Sequence, residues 1–148
     1  MQRRSLLAVV PALVVAGCTS PVGDNGTESE TSYEDTDFAV TAAECGTERE
    51  AASVSFDAEA ATVTVEGTTS GPNACSAARL ADANYDADAD EFTLVVEAYR
   101  EEDADGCAEC IMEIDYEATA SFAGEVPGSV AVVHASRGET REVATASP

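Results

Sequence analysis

The sequence predicts an all-β fold: a small antiparallel β-sandwich or open barrel, built from three hairpins and stapled by disulfides. Three observations predict it. Apolar and polar residues alternate with a period of two over much of residues 52–135, while the helical period of 3.6 is poor. The alternating runs come in pairs, each joined by a short stretch of turn-forming residues. Four cysteines, Cys45, Cys75, Cys107 and Cys110, fall between the pairs, where bonds among them would tie the pairs together.

In the first pair, Ala52, Val54 and Phe56 alternate with Ser53 and Ser55; beyond residues 57–60, Val63 and Val65 alternate with Thr62 and Thr64. The second pair is residues 77–85 with 92–99. Phe92, Leu94, Val96 and Ala98 share one face, and Thr93, Glu97 and Tyr99 the other. Asp86-Ala87-Asp88-Ala89-Asp90 supplies the turn. Leu80 and Tyr85 stand an odd number of residues apart, so a bulge near Asp82 is needed to bring both to the core side. In the third pair Met112, Ile114, Tyr116, Ala118, Ala120 and Phe122 share a face, residues 123–128 turn, and residues 130–135 return. Three one-sided hairpins give an apolar sheet face that needs a cover, and folding the sheet over itself supplies one. The alanine-rich residues 42–50 and 73–81 carry helix propensity. Strand is preferred for the second stretch, because Leu80 and Tyr85 need core positions. Tyr116, Phe122, Phe92, Phe56 and Tyr85 are the large core fillers; with no tryptophan the core is thin, and staples matter.

The N-terminus gives the location. Arg3-Arg4 precedes an uncharged run of residues 5–17. That is the length of a signal-peptide apolar region and too short to span a bilayer, which takes about 20 residues. Val15-Ala16-Gly17-Cys18 resembles the lipobox of prokaryotic lipoproteins, and Arg3-Arg4 resembles a twin-arginine export signal. The resemblance implies cleavage before Cys18, two hydrocarbon chains on that cysteine and anchoring on the extracytoplasmic face of the cell membrane. The expected organisation is a signal peptide (1–17), a lipidated, acidic, flexible tether (18–37), a β-sandwich domain (38–136) and a C-terminal tail (137–148). The tether holds one acceptor triplet for N-glycosylation at Asn25-Gly26-Thr27.

The chain holds 29 acidic residues, seven arginines and no lysine. Loss of residues 1–17 leaves five arginines, a formal charge of −24 (5 − 29). A folded domain so charged repels itself at low ionic strength. Molar salt shortens the Debye length to about 3 Å and removes most of that cost. Salt-dependent folding is therefore expected. With no basic patch to meet phosphates, nucleic acid is excluded as a partner.

With Cys18 spent on lipid, four cysteines remain, which in an exported chain suggests two disulfides. Of the three possible pairings, Cys75–Cys107 with Cys45–Cys110 is favoured. The first would close the open end of the second hairpin; the second would join the start of the domain to the base of the third. Cys107-Ala108-Glu109-Cys110 is a CxxC, but its acidic neighbours raise a thiol pKa, which argues against redox catalysis. Cys45 and Cys75 stand too far apart to complete a zinc site.

Other chemistry is sparse. Asp86, Asp88 and Asp90, with Glu97, match the start and the twelfth position of a calcium loop. Glu91 sits where that loop needs glycine, and Glu97 lies on a strand, so an acidic turn is expected and weak cation binding is the alternative. His134 is the only histidine, expected as a half-exposed strand residue; a blue-copper site, which needs two, is excluded. No motif places a serine beside it. No metal or cofactor is expected.

Pro72-Asn73-Ala74-Cys75, Cys107-x-x-Cys110 followed by Ile114-x-Tyr116-x-Ala118, and Val126-Pro127-Gly128-Ser129-Val130 leading to His134 complete a pattern with the signal. The mature chain resembles small secreted lipoproteins of halophilic archaea. That resemblance implies a family without an assigned activity. The expected function is a non-enzymatic binding or envelope-interaction module, with a protein or envelope partner. The alternatives are a small hydrolase using His134 and a protease-inhibitor-like sandwich.

Overall fold

A computed structural model describes residues 30–148. The signal segment, Cys18 and Asn25 lie outside the described residues. Eight strands form within them: β1 (Ser32–Gly46), β2 (Ala51–Asp57), β3 (Thr62–Gly71), β4 (Ser76–Asp86), β5 (Glu91–Arg100), β6 (Ile111–Ala123), β7 (Ser129–Ser136) and β8 (Glu139–Ala146). They make two four-stranded sheets, ordered β1-β6-β3-β2 and β4-β5-β7-β8. The sheets stack as a sandwich, and their edges approach one another, β1 beside β4 and β2 beside β8.

The first two hairpins form where alternation places them. β2 pairs antiparallel with β3, setting Val54 opposite Val65 and Phe56 opposite Val63. β4 pairs with β5 through a register shift between Leu80 and Asp82. This is the irregularity that the spacing of Leu80 and Tyr85 demands. The turn before β5 ends on Asp90 at φ 50°, a conformation that aspartate tolerates better than most residues.

Four expectations are corrected. The third pair is not a hairpin. β6 stays in the first sheet, between β1 and β3, while β7 crosses to the second. There β7 runs parallel to β5 and antiparallel to β8. Val130 and Val132 face the core, and Ala131 between them is buried as well, a small side chain flanked by Thr93 of β5 and Thr145 of β8, as befits a central strand. Second, the folded domain begins before residue 38. Residues 32–37 belong to β1, where Tyr33 pairs with Phe122 and Thr36 with Ala120, while Asp35 and Asp37 alternate with them on the other face. Third, the domain continues past residue 136: β8 covers β7, with Val143 and Ala144 packed against the core. Both added strands lie at sheet edges, where a polar outward half dilutes the apolar signal. Residues 42–46 are strand as well, not helix.

The core lies between the sheets. Val63, Val65, Ile114, Tyr116, Ala118, Ala120 and Phe122 face Phe92, Leu94, Val96, Val130 and Val132, all buried. Phe56 and Tyr85 pack against this cluster from the margin. Two disulfides form, Cys45–Cys110 and Cys75–Cys107, the favoured pairing. The register fixes two distinct ends. Ser32 lies opposite Ala123 at the end that carries the turns after β2, β4 and β6; Gly46 lies opposite Ile111 at the other. All four bonded cysteines gather at this second, stapled end.

Candidate functional site

The stapled end also carries the one concentrated polar network of the described interior. His134 continues the inward parity of Val130 and Val132 on β7, and so points between the sheets with 2% of its surface exposed. The expectation of a half-exposed histidine is thus corrected. Its partners come from elsewhere in the chain. Nε2 lies 2.6 Å from the Tyr116 hydroxyl on β6, and Nδ1 lies 2.6 Å from Glu50 Oε2, just before β2. Glu50 is itself held in place: Thr69 Oγ1 donates to Oε2 at 2.8 Å and the Ser70 N–H donates to Oε1 at 3.1 Å. Ser70 Oγ donates to the Arg49 carbonyl at 2.9 Å and accepts from the Arg49 N–H at 2.6 Å. Ser136 Oγ donates to the Ser70 carbonyl at 2.7 Å. The network therefore links β3 and β6 of one sheet to β7 of the other and pins the β1–β2 connection across the gap.

Protonation follows from this geometry. Burial pushes the Glu50 carboxyl up, but hydrogen bonds from His134, Thr69 and the Ser70 N–H outweigh it and hold the pKa below its ordinary value. An ionised Glu50 only accepts, so Nδ1 carries a proton. In the tautomer with its proton on Nδ1, the other ring nitrogen, Nε2, accepts from the Tyr116 hydroxyl. Burial and, after it, the charge of Glu50 push the Tyr116 pKa far above its ordinary value, so the phenol keeps its proton. Tyr116 reaches His134 because Gly67 faces it on β3. A side-chain carbon on Gly67 would overlap the phenol oxygen. No buried side-chain polar atom among the described residues lacks a partner.

Hydroxyl, imidazole and carboxylate stand in the order of an acyl-transfer triad. What differs is the hydroxyl. It belongs to a tyrosine that is 2% exposed and whose proton is held by burial. Among the described residues no serine hydroxyl is hydrogen-bonded to His134. A pocket of about 300 Å³ opens onto this network: Glu50, His134 and Ser136 line it together with Glu48, Arg137, Glu139 and Arg141. Arg137 pairs with Glu48 at 2.9 Å, and Arg141 lies opposite His134 in the β7–β8 register.

The remaining sequence candidates fall elsewhere. Asp86 Oδ1 accepts from the N–H groups of Asp88 and Ala89, and Asp90 Oδ1 accepts from the Tyr85 hydroxyl at 2.6 Å. These carboxylates shape the turn. Glu97 sits up the strand, paired with Arg79 at 3.1 Å. No group of three or more metal-ligating side chains converges among the described residues. Compared with known proteins, the chain matches no family model, no curated protein and no solved structure.

Proposed function

We propose that the chain is a lipid-anchored extracytoplasmic lipoprotein that acts as a non-enzymatic binding or envelope-interaction module, with the stapled end as its contact surface. The observation that supports this reading is the direction of β1. It starts at Ser32, at the turn end, and runs its 15 residues to Gly46 at the stapled end. At about 3.3 Å per residue that is roughly 45 Å. A lipid on Cys18 would hold the turn end toward the membrane and present the stapled end outward. Two disulfides and the internal network make that outward end rigid, and Arg141, with Arg137 in its pair with Glu48, places cationic groups there.

Two measurements test this. Mass spectrometry of membrane-extracted protein should show cleavage before Cys18 and a lipid adduct on it; residues 1–17 retained on the mature protein would overturn the anchor. Pull-down from native envelope in high salt should retain a partner that Arg137→Glu with Arg141→Glu loses and Val126→Glu, at the turn end, keeps. Loss with Val126→Glu alone, or no retained partner, would overturn the contact surface.

The hydrolase reading keeps one supporting observation, the Tyr116–His134–Glu50 relay. It requires ester turnover in molar salt that Tyr116→Phe abolishes without unfolding the domain. Absence of turnover by the folded protein rejects it.

A further inference from the structure

The pocket that opens onto the His134 network is built by the β7–β8 hairpin and by the residues that lead into β2. Arg137 at φ 54° and Gly138 at φ 81° form the tight turn of that hairpin. Residues directly opposite in an antiparallel pair share a face. Arg141 stands opposite His134 and Glu139 opposite Ser136, so all four lie on the side that faces the gap between the sheets.

Arg137 is engaged with Glu48. Arg141 and Glu139 are in no ion pair among the described residues, with each other or with any third group. A cation and an anion thus line one pocket without meeting. Glu50 Oε2 receives two donors, Thr69 and His134, while Oε1 receives the Ser70 N–H alone. A carboxylate has about four lone-pair sites, so Glu50, its side chain 13% exposed, keeps an acceptor position at the pocket. Ser136 Oγ donates to the Ser70 carbonyl and keeps its own lone pairs. Closing the sandwich does not call for such groups. Apolar side chains in place of the buried His134–Glu50 pair would close this end at no greater cost. Buried polar groups set under a pocket are the pattern of a ligand site.

We propose that this pocket binds a small α-amino acid as its zwitterion, with the carboxylate on Arg141 and the ammonium among Glu50, Ser136 and Glu139. The charges select the class. A plain anion would gain Arg141 but meet the carboxylates of Glu50 and Glu139; a plain cation would gain these but meet Arg141. A ligand that carries both charges close together satisfies both sides at once. The acceptors select a primary ammonium, whose three N–H donors match Glu50, Ser136 and Glu139; a quaternary ammonium has none to give. About 300 Å³ is the space of about ten water molecules, which limits the ligand to a single small amino acid. Molar salt screens attraction beyond about 3 Å but leaves direct contacts of this kind in force. The assignment rests on the reading of the stapled end as the contact surface and names a ligand for it.

The test is NMR titration of the mature chain carrying Cys18→Ser, in molar KCl, with L-serine as the probe. L-serine should shift the Ser70 and Ser136 amides and the His134 ring saturably, with a dissociation constant of about 1 mM or tighter. Acetate, methylammonium and glycine betaine each lack part of the match and should bind at least about tenfold more weakly. Arg141→Gln and Glu139→Gln, both at exposed positions, should each weaken L-serine about tenfold or more. Arg79→Gln, on an outer face and paired with Glu97, should leave binding unchanged. Absence of a saturable shift with L-serine would overturn the proposal. So would acetate or methylammonium binding as tightly, which makes a site for one charge, or glycine betaine binding as tightly, which removes the ammonium contact. Binding that survives either pocket substitution unweakened overturns it as well. None of these results touches the contact-surface reading, which stands or falls on capture of an envelope partner.

Discussion

The two ends of the sandwich are closed by different physics. At the turn end, Tyr33, Phe92 and Phe122 meet with ring centroids 5.2 to 5.7 Å apart, and Tyr85 meets Phe122 at 6.1 Å. That end is held by aromatic area, which is non-directional and indifferent to pH. At the stapled end the inward positions pass to Tyr116, His134 and Thr69, and two disulfides cross the surface. There the closure depends on covalent bonds and on a directional network that works only when every member is present. A thin core can thus be completed in two ways, and each fails under a different challenge.

The largest effect should come from reducing both disulfides. The bridges span 65 and 32 residues, and the chain-entropy relation gives about 4 kcal/mol for each. Chemical unfolding with and without a dithiol should show a loss exceeding about 4 kcal/mol, with hydrogen exchange rising first in residues 101–110 and 72–75. Equal protection at both ends after reduction would show that the bridges do not hold the stapled end. Next comes Phe122→Ala, which empties the aromatic end and should cost about 3–5 kcal/mol. Its cost should be the same in oxidised and reduced protein if the ends are independent.

The sequence carried this contrast unevenly. The cysteines could be paired because the second hairpin fixes where Cys75 and Cys107 open, and the bulge at Asp82 followed from the spacing of Leu80 and Tyr85. Alternation reports which face a side chain takes, but not which strand lies beside it, so β6 and β7 passed for hairpin arms although they belong to different sheets. Edge strands were harder still: in β1 the acids that look like tether are the outward half of a strand. The polar site was the least legible, because Glu50 and His134 stand 84 residues apart. One signal was present. His134 lies two residues beyond Val132 and four beyond Val130, so strand parity alone turns it inward.

The network's directionality can be broken with one oxygen. Tyr116→Phe keeps the ring stacked on Phe38 at 5.4 Å but leaves Nε2 of buried His134 without a partner, at a cost of about 1–3 kcal/mol. Gly67→Ala attacks the same bond from the neighbouring strand and should shift the His134 ring resonances in NMR as Tyr116→Phe does. Unchanged resonances in both variants would refute the hydrogen bond. Salt acts on neither end in particular. The unfolding midpoint of the whole domain should rise with KCl, by the same amount in Phe122→Ala as in the parent. A midpoint that ignores salt would reject self-repulsion as a controlling cost.

The smallest effect is the one that pH should resolve. Glu50 has its folded pKa held below the ordinary value of 4.5 by the donors around it. A carboxylate with a depressed folded pKa stabilises the folded state fully above its unfolded pKa and loses that contribution as pH falls toward the folded value. The stapled end should therefore loosen below about pH 4.5 while the aromatic end does not. Hydrogen exchange of the Ser70 amide, which donates to Glu50, reports the first; exchange of the Phe122 amide, which donates to the Ala61 carbonyl at the other end, reports the second. Glu50→Gln keeps an acceptor oxygen for Ser70 but cannot ionise. In that variant the Ser70 amide should no longer lose protection ahead of the Phe122 amide, because its acceptor cannot take up a proton in this pH range. If Ser70 still loses protection before Phe122 in Glu50→Gln, the acid sensitivity of the stapled end belongs to some other carboxylate.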